Sequence, residues 1–177
     1  MRLVLALQPA SYTGVEENEA AANRIGSTLT SVRHRCLVGS ASHTGLPDES
    51  ATVVYGEAML TMQGAAQKDQ IVQEAARILK PGGRYGIHEL CLVPDDLDDS
   101  MKQEIQRALS EILHVGSRPL TVAEWHVLLA AQRLDVRSQV RRPLRCHQPD
   151  RSLQAEGFIA PVRLAWRLSS RATPRPR

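Results

Sequence analysis

Aromatic side chains are scarce: one Phe, two Trp and three Tyr in 177 residues, 3% of the chain. That excludes the stacked aromatic platforms on which single-stranded nucleic acid is held. It also leaves the core to Leu, Val, Ile and Ala. Cysteine is equally thin. Cys36, Cys91 and Cys146 are an odd number, widely spaced, with no Cys-x-x-Cys, so neither a disulfide framework nor a thiolate metal site is expected. The six His form no His-x-x-x-His pair, which argues against zinc. Reduced thiols in a cytoplasmic protein are the reading this pattern supports. No apolar run approaches the roughly 18 residues of a membrane helix. The opening MRLVLALQPA lacks the longer apolar region and cleavage site of a signal peptide and reads as a fragment of a helix.

The composition that remains is that of a globular domain, 42% hydrophobic and 23% charged. A chain of this length buries roughly 70% of its unfolded surface without staples. The net charge of +3 is unevenly placed. From Arg133 onward there are eleven Arg, no Lys and three acids, about +8, against about −5 in the rest. A solvated basic face explains such a run most simply; contact with nucleic acid or another acidic partner through this third is the sharper alternative. Residues 171–177, RATPRPR, read as a basic disordered tail, leaving residues 1–170 as one domain.

Short β-branched runs alternate with helical segments, the signature of an α/β fold with a mostly parallel sheet. Ser11–Val15 reads as the end of a strand. A helix from about Asn18 to Leu29 follows, with Asn18 as N-cap. Arg35–Ala41 and Ala51–Tyr55 are the next strands. Ala66–Leu79 is a helix with Ile71, Ala75, Ile78 and Leu79 at helical spacing, stopped by the Pro and Gly of Lys80–Gly83. Arg84–Leu92 is a strand. Asp99 or Ser100 is expected to cap a helix over Met101–His114. Thr121 and Glu124 form a capping box opening Val122–Gln132, and Leu134–Val140 is a strand. Phe158–Leu168 fits a half-buried strand and a helix alike, and periodicity does not arbitrate.

In a doubly wound sheet, ligands bind beyond the carboxyl ends of the strands. Here those ends present Glu16, then Ser40 and Ala41, then Gly56 and Glu57, then His88 and Glu89. An acid ending a strand can accept both hydroxyls of a ribose diol, and a small residue after the next strand leaves room for a flat base. Each has a bland reading as well. Glu16 also suits the positive end of the following helix. Glu57 suits a half-buried turn. His88 suits a satisfied core histidine as well as a general base. Cys36 and Cys91 suit core thiols.

The stretches YTGVEENEAAANR, VGSASHTGLPDES, ATVVYGEAMLTMQ and AARILKPGGRYGIHEL resemble the class I S-adenosylmethionine-dependent methyltransferases of the small-molecule (type 11) kind. The helix ending in R-x-L-K-P-G-G before a hydrophobic strand is the most specific of them. The resemblance spans about residues 11 to 140. It implies a Rossmann-like, mostly parallel sheet with flanking helices, the cofactor S-adenosylmethionine, and methyl transfer to a small-molecule acceptor. It further implies that Glu16 holds the cofactor ribose and that Ser40 and Ala41 line the adenine, Ser40 standing where Asp is usual. Tyr55, Gly56 and Glu57 would lie beside the methionine moiety, and His88 is a candidate base.

Two departures bear on activity. The G-x-G-x-G loop of the family, and the first strand before it, would fall ahead of Met1. If Phe158–Leu168 is a helix, the family's last strand is missing too. The expectation is a partial domain in which inner strand edges have lost a partner and cofactor binding is weak or lost. The alternative is a methyltransferase remnant acting as an interaction module through its Arg-rich C-terminal third. A nicotinamide-dependent dehydrogenase shares the ribose acid, but the R-x-L-K-P-G-G segment and the missing first βα unit argue against it.

Overall fold

The computed structural model describes residues 8–143 and, beyond them, the backbone of two short strands, Ala165–Trp166 and Ala172–Pro174. The chain divides into two compact units, Met1–Leu46 and Pro47–Arg177.

The first unit is a single βαβ turn. Strand β1 (Tyr12–Glu16) runs parallel to β2 (His34–Val38), in register from Tyr12 opposite His34 to Glu16 opposite Val38. Helix α1 (Glu19–Ser27) connects them. It starts where the sequence says it should. The Asn18 side chain accepts from the Ala21 amide at 2.9 Å, satisfying one of the free N–H groups of the first turn. Glu19 and Arg24 sit at the ends that suit their charges. The helix stops at Ser27, two residues before the expected end at Leu29. The Ser27 and Thr28 hydroxyls turn back onto the carbonyls of Arg24 and Ile25. Such short hydroxyl side chains compete with the helical ladder.

The second unit begins with β3 (Ala51–Glu57) and a turn of 3₁₀ helix at Leu60–Met62. Helix α2 (Ala65–Ile78) then leads into β4 (Leu79–His88), parallel to β3. Lys80–Gly83, expected as a turn ahead of a strand starting at Arg84, lies within β4, where its register with β3 shifts between Ala51 and Val53, and holds two demanding glycines. Gly82 has φ +74°, a region that L side chains rarely adopt. A Cβ on Gly83 would lie 2.8 Å from the Lys80 carbonyl and 2.9 Å from Leu79 Cδ2. Arg77, the arginine of R-x-L-K-P-G-G, is gripped in the plane of Glu74. Its Nε meets Oε2 and its Nη2 meets Oε1, both at 2.7 Å. Its Nη1 pairs with Asp48, and its carbonyl accepts the Glu49 amide. The motif therefore stitches the start of β3 to the end of α2.

The strand expected over Arg84–Leu92 is broken at Glu89, and Leu90–Leu92 forms a separate strand, β5. Helix α3 (Asp99–Leu113) is capped by Asp98, one position before the expected caps. Its Oδ1 accepts from Met101 N at 2.8 Å and from the Ser100 hydroxyl at 2.6 Å. Strand β6 (Leu120–Thr121) pairs parallel with β5. Helix α4 (Val122–Ala131) opens on the expected capping box: Thr121 Oγ1 accepts from Glu124 N, and Glu124 Oε2 accepts from Thr121 N at 2.7 Å. Strand β7 (Leu134–Val136) ends four residues earlier than expected.

Strand β8 (Arg142–Pro143) is followed by β9 (Ala165–Trp166) and β10 (Ala172–Pro174). The unit holds two four-stranded sheets, in the orders β3-β4-β10-β7 and β6-β5-β9-β8. The pairs β1–β2, β3–β4 and β5–β6 are parallel, and antiparallel pairing between the described strands enters with β9 and β10, which include the one pairing of β7. Strand β10 lies within the stretch expected to be a disordered tail. Of Phe158–Leu168, all but β9 lies outside the described residues.

The core of this unit is aliphatic around two aromatics. Trp125 and Tyr85 are buried with Leu60, Val72, Ile87, Leu92, Leu129 and Leu134. Trp125 resolves its one polar atom by donating Nε1–H to the Leu90 carbonyl at 3.1 Å. Each such side chain contributes on the order of 1.5–3 kcal/mol when taken from water. Strand β3 is the edge of its sheet, and Val53 and Tyr55 on it remain exposed, at 63% and 48%.

Candidate active site at the strand ends

The carboxyl ends of the parallel strands gather the expected residues in two places, one in each unit. In the first unit Glu16 closes β1. Its Oε1 accepts the Asn18 amide at 3.0 Å, so the carboxylate fixes the turn into α1. Its backbone carbonyl accepts from Gly39 N just past β2. Among the described residues the other carboxylate oxygen has no hydrogen-bond partner. Both readings of Glu16 therefore hold: it steadies the helix start, and one oxygen stays open at the strand end. Ser40 and Ala41 follow β2. The Ser40 hydroxyl lies 3.0 Å from that of Ser42, and the backbone bridges Ser40 to His43. Ser40 therefore shapes the turn, leaving the small Ala41 half-buried beside it.

In the second unit β3 and β4 end side by side, with Gly56 opposite Ile87 and Glu57 opposite His88. His88 Nδ1 lies 3.4 Å from Glu57 Oε1. The His88 ring is largely buried, while Glu57 is more exposed than the half-buried turn position expected of it. The carboxylate is thus placed to steady a positive charge on the imidazole. Gly56 is buried against Met59, whose Sδ would lie 3.3 Å from an added Cβ. Tyr55 is on the open face of β3, and the ring of the buried Tyr85 points its hydroxyl towards Gly56. Burial, reinforced by the charge of Glu89, pushes the Tyr85 phenol above its ordinary value.

Two further residues of this region matter, of which the sequence pointed to Glu89 only as the neighbour of His88 at a strand end and did not point to Lys68. Glu89, 1% exposed, accepts from the amides of Met59, Leu60 and Thr61 at 2.9–3.0 Å and from the Thr61 hydroxyl at 2.7 Å. It pins the segment that leads from β3 into α2. Its place after His88 was legible, but its partners are thirty residues away in sequence. Lys68, 2% exposed, donates Nζ–H to the carbonyls of Gln63 and Arg118 at 2.7 and 2.9 Å. Burial first, and then the nearby Arg118, lower its pKa to about 8. A lysine on a helix face gives no sequence signal of burial. Cys91 is buried and its thiol is pushed up to about 11, chiefly by desolvation. Cys36 is half-buried. Among the described residues no three His, Cys, Asp or Glu side chains converge as a metal site, and no helix is long and apolar enough to cross a membrane.

Residues 1–87 match the methyltransferase domain family, a stretch that contains β1 to β3 and the R-x-L-K-P-G-G turn. The protein YcgJ from Bacillus subtilis is similar in structure, with a TM-score of 0.73 and 14% identity, over 99% of this chain and 88% of that one. A SAM-dependent methyltransferase from Methanosarcina mazei has a TM-score of 0.68 and 17% identity, over 100% of this chain and 88% of that one. Geranyl diphosphate C-methyltransferase from Streptomyces coelicolor, solved with Mg²⁺, geranyl diphosphate and S-adenosyl-L-homocysteine, has a TM-score of 0.62 and 19% identity, over 79% and 50%. An uncharacterized protein of Haemophilus influenzae is 31% identical over 113 residues, which are 63% of this chain and 43% of that protein. The match thus spans less than half the length of that relative. The first 87 residues thus match the methyltransferase domain family, and the fold is that of solved SAM-dependent methyltransferases.

Proposed function

We propose that the chain supports methyl transfer from S-adenosylmethionine to a small-molecule acceptor. The observation that carries this reading is the set of parallel strand ends. Glu16 ends β1 with one carboxylate oxygen open, and Glu57 and His88 end β3 and β4 in register. The donor set fits the cofactor in part. A carboxylate oxygen at a strand end suits a ribose hydroxyl, and Ala41 leaves space for a flat base. The bound cofactor would supply an electrophilic methyl on a sulfonium.

Transfer of that kind needs proximity, alignment and exclusion of water more than acid or base. Where the acceptor carries a proton, His88 takes it, and Glu57 at 3.4 Å stabilises the imidazolium that results.

Calorimetric titration with S-adenosylmethionine tests it. Heat of binding that is lost in Glu16→Ala, with the fold retained by circular dichroism, is the expected result. Equal binding by the two proteins overturns the assignment of Glu16. A complete lack of binding, at millimolar cofactor, overturns cofactor use by this chain.

A further inference from the structure

The parallel pairing of β3 with β4 does not stop at Glu57 and His88. Ala58 N donates to the His88 carbonyl at 2.8 Å. The next residue, Glu89, takes the amides of Met59, Leu60 and Thr61 and the Thr61 hydroxyl on its two carboxylate oxygens. Leu90 N then donates to Thr61 Oγ1 at 3.3 Å. His88, Glu89 and Leu90 thus hold residues 58–61 in order along the chain.

Two features show that this segment leans on the carboxylate. Ala58 has φ +52°, a conformation that L side chains rarely adopt. The 3₁₀ turn at Leu60–Met62 has no side-chain cap at Met59, and the first amides of a helical turn need an acceptor. Glu89 supplies that acceptor from the far side of the sheet junction, at 1% exposure, where bonds to a charged group are strong. Glu57 comes directly before the segment. Its side chain is 53% exposed, and an exposed ion pair is readily lost to side-chain freedom. What keeps Glu57 beside the His88 ring is the placement of its backbone, and the segment after it fixes that placement.

We propose that Glu89 is the positioning residue of the strand-end site: acting through residues 58–61, it holds the Glu57 carboxylate beside the His88 ring. Its own hydrogen bonds go to the segment and not to either side chain of the pair. That the pair serves methyl transfer rests on the proposed function; that Glu89 holds the pair does not.

A double-mutant cycle read from the NMR signals of the His88 ring protons, in the full chain at one fixed pH, tests this. Glu57→Gln is expected to shift those signals, because it removes the charge beside the ring. In a Glu89→Gln background the same change at Glu57 should shift them at most about half as far. The direct effect of the altered charge at Glu89 is common to both arms and cancels. A Glu89 that only stabilises the fold would leave the shift whole in every folded variant. Where Glu89→Gln does not fold, Thr61→Val decides: it removes the 2.7 Å bond to Glu89 and the acceptor of Leu90 N, and should also diminish the shift. Ala58→Gly relieves the backbone and breaks none of these bonds, so the shift should keep its full size there. No shift from Glu57→Gln alone, an undiminished shift in the deciding background, or a lost shift in Ala58→Gly overturns the proposal. Titration of the same proteins with S-adenosylmethionine separates the two readings. A diminished shift in a chain that binds no cofactor keeps the role of Glu89 and removes methyl transfer; an undiminished shift in a chain that binds it does the reverse.

Discussion

Glu89 and Lys68 are both withdrawn from water, and the backbone holds each of them. Glu89 collects three consecutive amides and a hydroxyl. In Glu89→Gln, the amide nitrogen would face a backbone N–H where an acceptor is required. We expect this change to cost about 3 kcal/mol in urea unfolding, from lost charge-assisted bonds and a buried donor without an acceptor. Lys68 works the other way, because its burial opposes its own charge. Its pKa falls from 10.5 to about 8. Between those values the unfolded chain binds more protons than the native one, so stability rises with pH. Cys91 and Tyr85 act in the opposite sense once their unfolded forms titrate, from the ordinary 9.0 and 10.0 upward. The window in which Lys68 stands alone among these three is therefore pH 8 to 9. Urea midpoints should climb across it, and in Lys68→Met the climb should vanish.

Elements were legible in the sequence wherever local chemistry decides them. Asn18, Thr121 and Glu124 mark helix starts because a cap needs only a short polar side chain and the next three amides. Thr121→Ala, at a buried cap, should cost about 1 kcal/mol by thermal unfolding. Lys80–Gly83 as the stop of α2 was equally clear, although the segment is already part of β4, and the structure adds which glycine is indispensable. Gly83→Ala drives a Cβ into the Lys80 carbonyl and Leu79, a clash of the kind that costs about 1–3 kcal/mol, measurable as a lowered urea midpoint. What local chemistry does not decide was misjudged. The break at Glu89 comes from partners around residue 60, and no periodicity within Arg84–Leu92 reports it. The cap of α3 moved to Asp98 because any of three neighbouring polar residues could serve. In the candidate site, Glu16, Glu57 and His88 were found from their places at strand ends. Lys68 and Arg118 were not, since their meeting depends on how a loop fifty residues away folds over α2.

At the scale of the whole chain, the two units differ in how much structure protects them. The first has one two-stranded parallel pair, and its helix buries only Ala22. A two-stranded sheet is marginal by itself. The second has two four-stranded sheets and nearly all the buried core. Hydrogen exchange should reflect this: the amides of Gly14–Glu16 are expected to exchange at least tenfold faster than those of Tyr85 and Ile87 in β4. Equal protection would show that the chain opens as one body. The parallel pairing of β1 to β6 was readable from the alternation of strands and helices, whereas the division into two units was not, because it depends on which strand edges find partners.

Glu89 also sits where the chain leaves one four-stranded sheet and enters the other, between β4 and β5. In a saturation library selected for folding, this makes position 89 a restrictive one. It should accept almost no replacement, not even Asp, whose shorter reach cannot meet three amides at once.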